Sequence, residues 1–271
     1  MFLSNIKKSQ YNTNGFICFE KMITTNNCKK IIKIVNRFEK KPSKKKNELD
    51  KNHSFSKISN SNKVVILDHL NNQKLEKLID FTKIEKIASR LTNTEMKVWF
   101  KKFYPKNNFD GDNEFYHQDF AYHKDKKAKN QEYIQCFIAL QDHYLESGCL
   151  RVFKGSHKLG LIKHHVVMTR NGVYKLTPSS DQLKKISKKN KMLNLELKAG
   201  SCVFFNYQLI HGSSSNASKH NQLRMVVQLL QKKNNRNKQK NNDVWKKRNL
   251  QEISLLKKFI NLKNKLGQAK N

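Results

Sequence analysis

Three side chains carry the chemistry that is easiest to read in this sequence. His117 and Asp119 stand two residues apart in Glu114-Phe-Tyr-His117-Gln118-Asp119-Phe120-Ala-Tyr122. In a strand, residues i and i+2 point to the same face, so an imidazole and a carboxylate are aimed at one point. One nitrogen and one oxygen ligand suit a borderline divalent metal such as Fe(II). They need a third ligand, and the candidate is His211, at the end of the apolar run Phe204-Phe-Asn-Tyr-Gln-Leu-Ile-His211-Gly212-Ser213. Two His and one carboxylate occupy one face of a metal and leave three positions for a chelating co-substrate and O2. Arg224 follows in the run Leu223-Arg-Met-Val-Val-Gln-Leu-Leu. An Arg in so apolar a strand is costly unless a carboxylate meets it, and the distal carboxylate of 2-oxoglutarate is a natural bidentate partner. The His-x-Asp spacing alone is weak, because a satisfied strand histidine, a surface His211 and a snorkelling Arg224 account for the same residues one at a time. Their joint order and contexts carry the reading.

The elements that must position these groups are mostly strands. Strand patterns cover 114–122, 133–142, 149–153, 164–167, 193–197, 201–206 and 223–230, with glycines between or beside them. Many short strands with turn signals indicate a sandwich, jelly roll or barrel. Upstream, 16–19 reads as a short strand. Thr24 and Thr25 are candidate caps for a helix carrying Ile31, Ile32, Val35 and Phe38, a second helix spans 75–91, and 96–104 reads as a strand. Residues 105–113 read as a polar turn. Residues 40–62 are a Lys/Ser/Asn-rich, flexible loop. The expected organisation is one domain over 1–230, followed over 231–271 by a basic linker and a C-terminal amphipathic helix. The fold class is mainly β with flanking helices, a double-stranded β-helix or jelly roll of the cupin-like kind.

Composition bounds the function classes. The 271 residues suffice for one large domain with a real core. No apolar run is long enough to span a bilayer or to act as a signal peptide, so the default expectation is a cytoplasmic protein. The five cysteines include no Cys-x-x-Cys pair, which argues against a disulfide framework or a zinc knuckle. Cys136 and Cys202, inside apolar runs, read as small buried hydrophobes. The net charge of +34 invites a nucleic-acid reading. Yet the basic residues are overwhelmingly Lys, interleaved with Asn along the whole chain, whereas phosphate recognition favours the Arg fork. The pattern reads as compositional drift on solvated faces, with a polyanion site as the alternative.

The ordered motifs resemble the phytanoyl-CoA dioxygenase superfamily of Fe(II)/2-oxoglutarate oxygenases, which includes ectoine hydroxylases. The resemblance rests on Tyr116-His-Gln-Asp119, Gln135-Cys-Phe-Ile-Ala-Leu-Gln-Asp142, Ser147-Gly-Cys-Leu-Arg151 and Gly155-Ser-His-Lys158. It continues through Lys198-Ala-Gly200, Val203-Phe-Phe205 and His211-Gly-Ser-Ser-Ser-Asn216, and covers roughly 11–230. It implies His117, Asp119 and His211 as iron ligands, with Arg224 and Ser213 holding the far carboxylate of 2-oxoglutarate. It places Phe137 as an aromatic wall of that pocket and Gln135 as a polar contact. A strand Lys that touches the co-substrate is implied at Lys101 or Lys102. Gln118 is implied as support for the ligands, and His157 as a structural turn residue. The interval from His211 to Arg224 is slightly long for the family, which a surface-loop insertion absorbs. Because Asp119 is retained, no ligand position opens for chloride, and hydroxylation is favoured over halogenation. The implied partners are O2, 2-oxoglutarate and a small-molecule substrate, whose C–H bond is hydroxylated with release of succinate and CO2. Tyr122, His123, Lys124 and Arg151 are candidates to face that substrate, and their basic character hints at an anion. The competing readings are a nucleic-acid- or nucleotide-directed oxygenase and a non-catalytic cupin-like binding module.

Overall fold

The computed structural model describes residues 4–39, 55–57, 63–66, 73–109, 113–122, 132–168 and 174–232. Helix α1 (Asn5–Asn14) starts at Ser4, whose hydroxyl accepts from the Lys7 N–H, and stops at Gly15. Strand β1 (Phe16–Phe19) follows, then helix α2 (Thr25–Glu39), with Thr24 accepting from the Asn27 N–H at 3.2 Å. Strands β2 (Phe55–Lys57) and β3 (Lys63–Ile66) lead to helices α3 (Gln73–Glu76) and α4 (Phe81–Thr92). Then come β4 (Met96–Lys106), β5 (Glu114–His117), β6 (Tyr133–Ala139), β7 (Leu150–Phe153), β8 (His165–Met168) and β9 (Tyr174–Thr177). Helix α5 (Ser180–Lys189) precedes β10 (Met192–Leu195), β11 (Cys202–Asn206), β12 (His211–Ser213) and β13 (Gln222–Gln231). Among the described residues, no helix is long and apolar enough to cross a membrane.

Two antiparallel sheets build the frame. The larger has seven strands in the order β1-β11-β6-β13-β4-β3-β2, and the smaller has four in the order β10-β7-β12-β5. The strand alternation divides the core into two layers. Ile134, Cys136 and Ile138 of β6 pack with Ile31 and Val35 of α2 and with Ile84, Ile87 and Leu91 of α4. The intervening Phe137 and Ala139 turn the other way. They pack with Val203 and Phe205 of β11 and with Leu150 and Val152 of the smaller sheet. Strand β6, covered on both faces, is therefore a continuous apolar run rather than an alternating one. The result is the expected jelly roll, with helices outside the larger sheet and a second, site-bearing interior between the sheets.

Several boundaries differ from the sequence reading. The strand expected over 114–122 ends at His117, and Asp119–Tyr122 is a 3-10 turn. The single helix expected over 75–91 breaks, because the Asp80 carboxylate caps a new start by accepting from the Lys83 N–H at 2.9 Å. Strand β4 runs on through Pro105, where a turn is expected. Pro105 pairs with Leu223 of β13, while on the other side β3 pairs only with Phe103 and Lys102. A proline is tolerated in a strand where one ladder has ended. Of the expected loop 40–62, Phe55–Lys57 forms β2. The rest of that loop lies outside the described residues, as does the chain from 233 to 271 with its expected helix. Cys136 and Cys202 are fully buried free thiols.

Candidate active site

The metal-ligand candidates converge at the pairing of β5 with β12. His117 and His211 are directly opposed, so their rings stand side by side with centroids 4.3 Å apart. Asp119 arrives from the 3-10 turn. Its Oδ1 lies 3.5 Å from His117 Nε2 and its Oδ2 lies 3.8 Å from His211 Nε2. One ligand atom from each of the three falls within 4.8 Å of the others. The convergence is the one expected, but it comes from a strand end followed by a turn rather than from strand alternation.

Both imidazoles have their orientation set from behind. His117 Nδ1 is 2.7 Å from Phe115 O, and His211 Nδ1 is 3.0 Å from Leu209 O. A ring nitrogen facing a carbonyl oxygen must carry the proton, so each Nε2 lone pair is left aimed at Asp119. Asp119 Oδ2 is buried with no hydrogen-bond partner among the described residues. Burial alone raises the Asp119 pKa, but His211 and His117 outweigh it and hold the carboxyl well below the usual range. The two rings respond oppositely. For His117, burial is overcome by Asp119 and Glu114 and the pKa rises, whereas burial and the neighbouring His117 lower that of His211. At most one imidazolium, that of His117, fits beside this carboxylate, and a divalent cation bound at both Nε2 atoms displaces its proton.

Local sequence choices make this geometry possible. Gly212 follows His211 where β5 bulges, and a Cβ there would sit 2.7 Å from Glu114 O. Gln118 braces the turn, as the resemblance implies. Its buried amide donates to Gly160 O and Gln208 O, both at 2.7 Å, and accepts from the Ile162 N–H at 2.9 Å. His157 is a turn residue, with Nε2 3.1 Å from Asn12 O.

The second half of the site is a buried cationic pocket. Arg224 on β13 is opposed by Tyr104 of β4 and Ala139 of β6. Its guanidinium reaches Ser213 Oγ at 3.3 Å, and its Nε has no partner among the described residues. Lys106 is only 2% exposed. Its ammonium donates to Ser213 Oγ at 2.9 Å and to Ser214 O. Burial first, and then the charge of Arg224, push the Lys106 pKa down to about 6. Burial also lowers the pKa of Arg224. Phe137, opposite Val203 and Val226, lines the same interior.

The strand Lys expected at 101 or 102 is neither of those at the Ser213 pocket. Lys101 faces the helices, paired with Glu76 and lying 4.1 Å over the Phe81 ring. Lys102 faces inward, but its ammonium lies 5.9 Å over the Tyr104 ring. Lys106 takes the position, on the same strand face as Lys102 and Tyr104. Arg151 is also corrected. It lies between the inward Leu150 and Val152, opposite Gly212 and Asn194, on the outer face of the smaller sheet. Tyr122 lies beside the metal-ligand candidates, its ring edge-on to His117 at 5.6 Å. His123 and Lys124 lie outside the described residues. Unforeseen is Glu114, half-buried, 2.7 Å from Lys175 of β9, with its charge acting on both His117 and Arg224.

Known proteins resemble the chain in sequence and in fold. The family model described as phytanoyl-CoA dioxygenase (PhyH) matches residues 11–226. An ectoine dioxygenase of Bordetella bronchiseptica is 22% identical over 224 residues, 80% of this chain and 71% of that protein. A phytanoyl-CoA dioxygenase of Arabidopsis thaliana is 35% identical over 82 residues, 30% of this chain and 27% of that protein. The structure of EctD from S. alaskensis with 2-oxoglutarate and 5-hydroxyectoine superposes with a TM-score of 0.67 at 17% identity, covering 84% of this chain and 76% of that one. EvdO2 from Micromonospora carbonacea var. aurantiaca, complexed with 2-oxoglutarate, gives 0.68 at 15% identity over 86% and 92%. At these identities the two structures establish a shared fold.

Proposed function

The chain belongs to the phytanoyl-CoA dioxygenase (PhyH) family of Fe/2-oxoglutarate-dependent dioxygenases, and on that premise we propose that it hydroxylates a C–H bond of a small anionic metabolite. In this reading Fe(II) is held by His117, Asp119 and His211, and 2-oxoglutarate by Arg224, Ser213 and Lys106. The observation that carries it is the meeting, in one barrel interior, of the His-Asp-His cluster with the half-buried Arg224 and the buried Lys106, neither paired with a carboxylate among the described residues.

The donors fit the metal. Two neutral Nε2 lone pairs and one carboxylate suit Fe(II) and cover one face of it. The orphaned Asp119 Oδ2 is the atom a cation would satisfy. When bound, the iron supplies the coupling of O2 reduction to 2-oxoglutarate decarboxylation, giving succinate, CO2 and an oxygen for the substrate C–H bond.

This chain's own residues orient and exclude. The carbonyls of Phe115 and Leu209 keep both rings in the metal-binding tautomer. Gln135, buried on the same face of β6 as Phe137, is a polar group of this interior and a candidate contact for the co-substrate. Arg224 offers its fork to the distal carboxylate, Lys106 adds a point charge, and the Ser213 hydroxyl is shared between them. Phe137 and its neighbours keep water from the buried charges. Lys102, inward on β4 beside Tyr104, supports an anionic substrate. The carboxylate at 119 fills the position a halide would need, which supports hydroxylation.

Anaerobic titration with Fe(II) and 2-oxoglutarate tests the co-substrate site, and the expected result is a weak visible charge-transfer band. Bound iron without that band overturns the reading. A metabolite-extract screen for substrate-stimulated succinate release then tests the substrate class. A neutral best substrate sinks the anionic proposal, and no turnover with any extract favours a binding module.

A further inference from the structure

His143 is the most unusual buried group that the reaction does not yet use. It lies beyond β6, has no exposed surface, and neither ring nitrogen has a hydrogen-bond partner among the described residues. Two orphaned nitrogens on one buried side chain are costly, because each gives up water and gains nothing.

Its direction is fixed by its backbone. His143 donates its N–H to Leu197 O at 2.7 Å and accepts from the Leu197 N–H at 2.9 Å, an isolated antiparallel bridge. Directly opposed residues share a face. Leu197 belongs to the apolar cluster between the two sheets, so the His143 ring enters the same interior. There it packs edge-on to Phe137, with ring centroids 5.6 Å apart. The charges of Arg224 and Lys106 both act on it. The ring thus stands at the cationic pocket, on the side lined by Phe137.

We propose that His143 is a further co-substrate-binding residue, its ring N–H donating to the distal carboxylate of 2-oxoglutarate beside Lys106, Arg224 and Ser213. The proposal rests on the functional reading above and extends it to a residue outside the strands that carry the family motifs. Burial, then Arg224 and Lys106, push the His143 pKa down to about 3, so the ring is neutral and brings one N–H donor without adding a third cation. A neutral donor satisfies the carboxylate lone pairs that two cations and one hydroxyl leave open. The ring also closes one end of the pocket and so limits the length of the 2-oxo acid.

The test uses the full chain loaded with Mn(II), which holds the metal site without turnover. Calorimetric titration with 2-oxoglutarate compares wild type with His143→Gln, which keeps a donor, and His143→Leu, which removes it. The expected loss for His143→Leu is about tenfold or more, as for a hydrogen bond to a charged group, while His143→Gln stays within about threefold. Mn(II) affinity is expected to be unchanged in both variants. His143→Leu is also expected to raise the melting temperature of the ligand-free protein, since it replaces two unpartnered nitrogens with a packed apolar group. A merely structural histidine predicts the opposite shift. In wild type loaded instead with diamagnetic Zn(II), one imidazole N–H resonance is expected to move downfield and gain exchange protection when 2-oxoglutarate is added. Wild-type affinity in His143→Leu, or an imidazole signal indifferent to 2-oxoglutarate, overturns the proposal. Failure of Mn(II)-loaded wild type to bind 2-oxoglutarate at all overturns the functional reading first, and this proposal with it.

Discussion

With Lys106 at the proposed co-substrate site, 2-oxoglutarate binding is expected to be proton-coupled. In the ligand-free protein its pKa is pushed down to about 6, by burial and then by Arg224. At pH 7.5 only about 3% of such a group is charged, and charging it costs ~2 kcal/mol at 1.36 kcal/mol per pKa unit. A dicarboxylate arriving beside Ser213 places a negative charge next to this ammonium and returns its pKa toward the ordinary lysine range. The sign is therefore fixed. Binding takes up close to one proton at pH 7.5, and affinity falls about tenfold per pH unit above 6 until the bound pKa is reached.

The groups facing Lys106 leave it the sole titrating candidate in that window. Arg224 and Arg151 stay charged. Glu114 is held below its usual range because Lys175 and His117 outweigh its burial. The Cys149 thiol is pushed up by burial and by Glu196, and His143 stays neutral. Loading the metal first removes the protons of its ligands from the balance. The assay is calorimetry of 2-oxoglutarate binding in two buffers of different ionisation enthalpy, where the difference in apparent enthalpy gives the proton number. Lys106→Met is expected to bind more weakly, with pH-independent affinity and no uptake. The ligand-free variant is expected to be more stable than wild type by ~1–3 kcal/mol, because folding no longer has to strip the proton from a lysine. Clear 2-oxoglutarate binding by wild type with no buffer dependence refutes the argument.

Three further outcomes follow from the metal half of the site. Asp119→Ala is expected to weaken Fe(II) binding by more than the ~10- to 100-fold typical of outer partners, and stoichiometric iron retained on a desalting column counts against Asp119 as a ligand. Gly212→Ala puts a Cβ 2.7 Å from Glu114 O in a bulged strand pair. The expected loss is ~1–3 kcal/mol in thermal unfolding, and an unchanged melting temperature contradicts the close approach. Gln118→Leu leaves the half-buried Gly160 O, Gln208 O and Ile162 N–H without their partner. At ~1 kcal/mol each it loses ~3 kcal/mol by chemical denaturation and weakens iron binding. A stability loss with iron affinity intact would restrict Gln118 to a folding role.

What the sequence made legible is what periodicity controls. His211 at the end of an apolar run and Arg224 inside one are conspicuous because alternation assigns their faces. The same alternation assigned Asp119 to the right place for the wrong reason. The chain leaves the strand at His117, and the carboxylate returns through a 3-10 turn braced by Gln118. No local rule distinguishes that turn from one more strand pair. Lys106 was hidden by Pro105, since a proline reads as an end and only the tertiary partners show that β3 has already stopped. Ser179 and Gln182 form a capping box at the start of α5, a short-range signal that was available in the sequence. The Glu114–Lys175 pair and His143 carry no such signal. Each depends on contacts between segments far apart in the chain, which composition and spacing do not encode.

Of the eight buried side-chain atoms without a partner among the described residues, four gather in two places at the site, and the others are Gln135 Oε1, Gln222 Oε1, Arg151 Nε and His157 Nδ1. Asp119 Oδ2 belongs to the metal cluster; Arg224 Nε and both nitrogens of His143 belong to the anion pocket. Scattered orphans would indicate poor packing, yet the surrounding Phe137, Ala139, Val203 and Phe205 are buried and mutually packed. Orphaned groups in a packed interior persist when a ligand supplies their partners. A cation answers the oxygen and a dianion answers the nitrogens, so the two absent charges are of opposite sign and adjacent. A molecule that chelates the metal at one end and carries a carboxylate at the other meets both needs at once. That requirement comes from the atoms of this chain and is independent of family membership, so removing the groups of the anion pocket should raise ligand-free stability while weakening co-substrate binding.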